Sequence, residues 1–343
     1  MVDRKRVRTV TEDQFHRARN RDIEIDSVRV VHGKLGTRRI LDHRRHGKVT
    51  CVAHTSEPIT VVEQDLREID TPKGALRYYD CGPGSGEALL FLHGSGPGVT
   101  GWRNFRGILP AFAERFRCLI LEFPGFGVSD DFGGHPMVTA FGTVAPFLDA
   151  LGVEKAHIVG NSMGGGVGIN FAIQNPGRVG RLVTIGGIGT NIFSPSPSEG
   201  IRLLQEFVED PTRQRLVDWL KSMVYDQSLV TDELVEERWQ LATDPATLAA
   251  ARRMYGRAAF AAMNAAMNAS DRPLPWAVMH KLAAPTLLTW GRDDRVSPPD
   301  MALIPMRTIP NAELHVFPNS GHWAMIEAKE AFESTVLAFL SRE

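Results

Sequence analysis

Cysteine is scarce in this chain, with three in 343 residues. Cys51, Cys81 and Cys118 form no CxxC pair and no zinc-like spacing, which argues against a disulfide frame and for a reduced, cytoplasmic setting. No run of eighteen apolar residues occurs, so no membrane-spanning helix is expected. The charged opening MVDRKRVRTV lacks the apolar stretch of a signal peptide. An excess of one charge is lacking too, since 39 Lys and Arg against 40 Asp and Glu leave a net −1. General attraction to nucleic acid or to acidic membranes is therefore not expected. The 11 histidines form no HExxH and no tight His/Asp cluster, so neither a metal nor a cofactor is expected.

What is present is ordinary globular material, 43% apolar, in a length that suits one core carrying a large insertion. Residues 1–58 stand apart. They hold fourteen Lys and Arg against eight Asp and Glu, which leaves the remainder near −7. Strand-like pieces at Val28–Val31 and Lys48–Ala53 interrupt this basic extension without making a self-sufficient core. It reads as a poorly ordered arm or as translation from an upstream start, with a docking or oligomerisation arm as the sharper alternative. Its stretch Arg38–Lys48 is too mixed with His and Asp for a nucleic-acid site.

From residue 59 the pattern becomes regular. Ile59–Ile69 and Leu76–Tyr79 read as half-buried strands around the turn residues Thr71-Pro72-Lys73-Gly74. Leu89–Leu92, Cys118–Leu121, His157–Val159 and Leu182–Ile185 are short apolar runs of the kind buried on both faces. Helix-length segments such as Val144–Leu151 and Val167–Gln174 separate several of them, which predicts an α/β fold with a mostly parallel twisted sheet. Residues 194–278 read as helical throughout. Strand–helix alternation then resumes at Pro285–Trp290 and continues through Glu313–Phe317 to a terminal helix, Lys329–Leu340. The expected organisation is a core over 59–193, a helical lid over 194–278 and the second part of the core over 279–343.

The chemistry is concentrated in a few loops. Gly160-Asn161-Ser162-Met163-Gly164 lies between a strand and a helix, the setting of a nucleophile elbow, where tight backbone approach demands glycine on both sides of the serine. The loop His93-Gly94-Ser95-Gly96-Pro97-Gly98 follows a strand and can offer a backbone amide to an oxyanion; the donors expected are the amides of Ser95 and Met163. As a phosphate loop it lacks the terminal Gly-Lys-Ser/Thr of a P-loop and the third glycine of GxGxxG. His93 is expected to brace the loop. Either Asp293 or Asp294 can supply a carboxylate behind His322, with Asp294 preferred, and the order Ser162, Asp294, His322 is that of α/β-hydrolases. In such a triad the imidazole takes the serine proton while the carboxylate fixes its tautomer.

Across residues 60–343 the sequence resembles the meta-cleavage product hydrolases, which break carbon–carbon bonds in aromatic-ring degradation. The motifs carrying the resemblance are HGSGPG (93–98) with Trp102 and Asn104, GNSMGG (160–165), YDQSL (225–229) leading to Arg238-Trp239, WGRDD (290–294) and GHW (321–323). The resemblance implies an α/β-hydrolase fold and, as substrate, a 2-hydroxy-6-oxohexa-2,4-dienoate. The dienol is ketonised, C6 is attacked, and the C5–C6 bond breaks to give a 2-hydroxypenta-2,4-dienoate and a carboxylic acid.

The same resemblance gives Arg238 the substrate carboxylate and 2-oxygen, a role that suits a planar guanidinium, with Asn104, Asn161 and Trp323 completing the polar end. Met223 and Val296 stand where some members carry bulkier residues, so a sizeable aryl or alkyl group at C6 is expected. Phe260, Met263 and Met267 are alternative pocket or packing residues. Family members are often homo-oligomers. A carboxylesterase on the same triad is the rival enzyme, and a non-catalytic binding module is disfavoured because all three triad residues are present.

Overall fold

The computed structural model of the chain describes residues 66–342, apart from 127, 272 and 274. The basic extension 1–58, with its strand-like pieces, and the first part of Ile59–Ile69 lie outside the described residues.

The core is an eight-stranded sheet in the order β1-β2-β4-β3-β5-β6-β7-β8. Its strands are β1 (Leu66–Thr71), β2 (Gly74–Cys81), β3 (Ala88–Leu92), β4 (Arg117–Glu122), β5 (Ala156–Asn161), β6 (Val179–Ile185), β7 (Thr286–Gly291) and β8 (Ala312–Phe317). β1 and β2 form an antiparallel hairpin and β2 meets β4 antiparallel, while every other neighbouring pair is parallel. The half-buried character expected of the first strand is only partly realised. β1 is an edge strand with most of its residues exposed. Its alternation reflects pairing with β2 more than contact with a core.

The apolar runs do divide between two faces. Leu89, Phe91, Ile120, Val159 and Val183 enter one cluster, and Leu90, Leu92, Leu119, Leu121, Ile158 and Leu182 the other. This is the two-residue period of a strand buried on both sides. Between the strands lie α1 (Gly101–Phe105), α2 (Leu109–Ala113), α3 (Pro136–Phe141), α4 (Val144–Ala150) and α5 (Met163–Gln174).

The crossover from β6 to β7 carries α6 (Glu199–Glu209), α7 (Arg213–Ser222), α8 (Asp232–Ala242), α9 (Pro245–Tyr255) and α10 (Arg257–Asn268). Several of these helices begin on side-chain caps. Thr212 accepts the amide of Arg215, Thr231 that of Leu234 and Asp244 that of Thr247, each satisfying an N–H that the helix itself cannot. Leu204, Phe207 and Val208 from α6 and Leu216, Trp219 and Leu220 from α7 fall at helical spacing and bury against the first cluster. After β7 come α11 (Leu303–Thr308), α12 (Ala324–Glu327) and α13 (Lys329–Leu340). Among the described residues no helix is long and apolar enough to cross a membrane.

The parallel strands all end on one side, where open α/β sheets gather their functional loops. The loop 93–98 follows β3, Ser162 follows β5, Gly186-Gly187 follows β6, Asp294 follows β7 and His322 follows β8.

Candidate active site

Ser162 sits between β5 and α5 with φ 52° and ψ −114°, one of two non-glycine residues with positive φ among those described. Such a conformation costs roughly 1–3 kcal/mol and persists only where its surroundings enforce it. Here the Ser162 amide donates to the Ile185 carbonyl at 2.9 Å. A β-carbon on Gly164 would lie 2.0 Å from the Leu92 carbonyl oxygen, and one on Gly160 would lie 2.5 Å from the Gly164 backbone. Both glycines are steric requirements. Gly164→Ala is expected to destabilise the fold by about 3 kcal/mol or more, measured by urea denaturation; parent-like stability would contradict this tight approach.

His322 is held from two sides. Its amide donates to the Met223 carbonyl at 2.7 Å, and Nδ1 lies 2.8 Å from Asp294 Oδ2. A carboxylate can only accept from that nitrogen, so Nδ1 carries a proton, and in the neutral ring it is Nε2 that has the lone pair. The other oxygen of Asp294 accepts the amides of Val296 and Ser297 at 2.8 Å each. Asp293 instead pairs with Arg292 at the surface.

The serine and the histidine each border one of two consecutive glycines after β6. A β-carbon on Gly186 would lie 3.4 Å from the His322 ring, and one on the next residue, Gly187, 2.7 Å from Ser162 Oγ. With glycine at both positions no side chain comes between them. Among the described residues the Ser162 hydroxyl makes no hydrogen bond within 3.5 Å, and nucleophile–base bonds often tighten only once substrate arrives.

The loop after β3 is braced from below. His93 is fully buried; its Nε2 accepts the Phe123 amide at 3.0 Å, so Nδ1 carries the hydrogen that is donated to the Gly94 carbonyl at 2.6 Å. Burial lowers its pKa from 6.5 to about 4, outweighing the bond to Gly94. The nearby Glu122 turns both carboxylate oxygens toward the amides of Gly101 and Trp102 at the start of α1.

A neutral buried histidine has a consequence for stability. Below pH 6.5 the unfolded chain binds a proton that the folded chain refuses until about pH 4, so stability from this group is lost as pH falls through that window. The expected loss is on the order of 3 kcal/mol. Urea denaturation between pH 7 and 4 measures it, and His93→Asn, which cannot bind that proton, should flatten this part of the profile.

Ser95 is buried in the same loop, and Met163 is the first residue of α5, where the amide has no intrahelical acceptor. The two asparagines are partly committed to the backbone. Asn104 Oδ1 accepts the Gly94 amide at 3.0 Å, and Asn161 Nδ2 donates to the Ile185 carbonyl at 3.1 Å. Both therefore shape the site, a use that the sequence reading of them as ligand contacts does not include.

Arg238, on α8, is buried with its guanidinium 5.6 Å from the Trp323 ring centroid. Its Nη1 reaches the Pro97 carbonyl at 3.4 Å, and among the described residues no carboxylate forms an ion pair with it. The adjacent Glu237 pairs with Arg103 at 3.5 Å instead. Burial, and then the charge of Arg103, lowers the Arg238 pKa to about 10, with Glu237 opposing. The group is still a cation at neutral pH.

Met223 and Val296 are buried close to the triad, the first through its carbonyl bond to His322 and the second beside Asp294. Phe260 and Met263 are half-buried on α10 but belong to neither of the two clusters among the described residues; the side chain of Met267 lies outside them. Two residues that sequence reasoning missed are Tyr255, hydrogen-bonded to Ser95, and Trp219, packed on Gly96. No motif marks either one. Among the described residues no group of three or more His, Cys, Asp or Glu can hold a metal.

A serine on a strained strand-to-helix turn, with an Asp–His pair at the ends of the following parallel strands, defines an α/β-hydrolase. The α/β-hydrolase fold family matches residues 87–329. The 2-hydroxy-6-oxo-6-phenylhexa-2,4-dienoate hydrolase of Burkholderia cepacia is 39% identical over 298 residues, covering 84% of this chain and 96% of that one. A 2-hydroxy-6-oxononadienedioate/2-hydroxy-6-oxononatrienedioate hydrolase of Burkholderia vietnamiensis is 40% identical, again with 84% and 96% covered. Among solved structures, the meta-cleavage product hydrolase of Pseudomonas fluorescens IP01 superposes with a TM-score of 0.70 at 31% identity, covering 81% of this chain and 98% of that one. The chain belongs to the meta-cleavage product hydrolases of the α/β-hydrolase fold.

Proposed function

We propose that this protein hydrolyses the C5–C6 bond of a 2-hydroxy-6-oxohexa-2,4-dienoate, giving a 2-hydroxypenta-2,4-dienoate and a carboxylic acid. The observation that carries the proposal beyond family membership is Arg238, a buried cation with no carboxylate partner among the described residues, beside Trp323. A desolvated guanidinium is costly when unpaired. A planar substrate carboxylate offsets that cost and fixes the dienoate at the polar end of the site.

The chemistry then follows from the triad. With the dienol ketonised, Ser162 Oγ attacks the C6 carbonyl while His322 Nε2 takes its proton, and the C6 oxygen becomes an oxyanion facing the amides of Ser95 and Met163. Collapse of this intermediate breaks C5–C6. The electron pair moves onto the dienoate, which the imidazolium protonates, and the acyl group stays on Ser162. Water, deprotonated by His322, then releases the carboxylic acid. Asp294 stabilises the imidazolium in both halves. Met223 and Val296 flank the C6 side and leave room for a sizeable aryl or alkyl substituent, and the helices between β6 and β7 act as the lid.

The proposal includes a cytoplasmic homo-oligomer, as the family resemblance suggests.

Arg238→Gln tests the carboxylate reading. It removes the charge that a dienoate needs and a neutral aryl ester does not. The kcat/KM for the dienoate is expected to fall by about 100-fold, the scale of one buried charge-assisted contact, with the ester losing no more than about tenfold, the share that follows from the lost bond to the Pro97 carbonyl. Equal losses on the two substrates would leave carboxylate binding at Arg238 without support.

A further inference from the structure

The loop Gly94–Gly98 belongs to the core by sequence, but three helices of the insert hold it. From α7, the Trp219 ring lies on Gly96, where a β-carbon would come 2.5 Å from its Cη2. From α8, Arg238 donates to the Pro97 carbonyl, and its own carbonyl would lie 2.9 Å from a β-carbon on Gly98. From α9, the Tyr255 hydroxyl is hydrogen-bonded to Ser95 Oγ.

The last contact differs in kind. Gly94, Gly96 and Gly98 have no side chain to fasten, so the loop is held through its backbone, with His93 on the Gly94 carbonyl and Asn104 on the Gly94 amide before Ser95, and through the Ser95 side chain. Tetrahedral geometry ties Oγ to the Ser95 Cα and hence to its amide. Anchoring the hydroxyl therefore limits rotation of the N–H that faces the reacting carbonyl. Tyr255 can supply a firm anchor, because its ring packs against both apolar clusters. Its hydroxyl also stays protonated over the working range, since burial pushes its pKa up to about 12.

We propose that Tyr255 is a positioning residue for the oxyanion hole: its hydroxyl holds Ser95 by the side chain, so that the Ser95 amide is aimed before substrate arrives. This rests on the reading of Ser95 as an oxyanion donor. It makes the hole a joint product of core and insert, assembled only when α9 is seated on the loop.

Tyr255→Phe keeps the ring and removes only the bond. The readout is the rate at which an aryl phosphonate modifies Ser162, since its phosphoryl oxygen occupies the oxyanion position whether or not the dienoate is the substrate. The maximal inactivation rate is expected to fall by about five- to tenfold, the effect of one hydrogen bond, with the inhibitor's half-saturation within about twofold of the parent. The kcat for a neutral aryl ester should fall by the same factor. Ser95→Ala removes the bond from the other end and serves equally if the tyrosine variant does not fold. The double variant should lose no more than the single ones. Parent-like inactivation rates, a change confined to half-saturation, or losses that multiply in the double variant would each overturn the proposal. A parent that modifies Ser162 readily but leaves dienoates intact would overturn the substrate reading and not this one.

Discussion

Ser162→Ala is expected to lower kcat by about 10⁴-fold or more while leaving dienoate binding within about threefold of the parent. The magnitude follows from the division of labour in the site. In the proposed mechanism carboxylate binding falls to Arg238 and oxyanion stabilisation to backbone amides, so neither depends on the serine hydroxyl. What disappears is the only covalent route to the C6 carbonyl. Difference absorbance gives the dissociation constant of the variant and single-turnover kinetics gives its rate. Full activity would remove the nucleophile assignment, and lost binding would mean that the elbow, which has no room for a β-carbon at Gly160 or Gly164, had been disturbed.

The second large effect is expected from His322→Ala. Three features make this imidazole specific for its role. Nδ1 is committed to Asp294 at 2.8 Å, the backbone is fixed by Met223, and the ring borders Gly186, the neighbour of the glycine that Ser162 borders. In the proposed mechanism its removal abolishes proton transfer from the serine and to the departing carbon, so kcat should again fall by about 10⁴-fold or more. Because the triad acts as a unit, the double variant with Ser162→Ala should be no slower than either single one. A rate like the parent's in the histidine variant would contradict the base assignment, and multiplied losses would mean that the two residues act independently.

The sequence made the sheet legible wherever strands are buried on both faces. Leu89–Leu92 and Cys118–Leu121 lie within β3 and β4, and the terminal helix was bounded at Lys329 and Leu340, where the structure has it. Legibility failed at the edge strand, whose alternation is not matched by burial, and at α1, α2 and α3. Helices of five or six residues are too short for a 3.6-residue period to stand out.

In the site, Ser162, His322 and the loop 93–98 were readable because steric and chemical demands leave few residue choices at an elbow or a Gly-rich turn. The pairing of His322 with Asp294 over Asp293 was a preference that only the side-chain geometry decides. Tyr255 and Trp219 were invisible for a different reason. Their role depends on how the insert packs over a distant loop, about 160 and 123 positions away in sequence, and nothing local to either residue marks it. The bonds of Asn104 to Gly94 and of Asn161 to Ile185 had no local signal in the sequence.

One assay addresses the reaction itself. Purified protein is mixed with a coloured 2-hydroxy-6-oxo-6-aryl-hexadienoate, the visible band is followed, and the products are separated and quantified. Loss of the band with release of one equivalent each of arenecarboxylic acid and 2-hydroxypentadienoate is the expected outcome. Recovery of intact dienoate from a preparation that cleaves a simple aryl ester would contradict carbon–carbon hydrolysis and leave an esterase in its place.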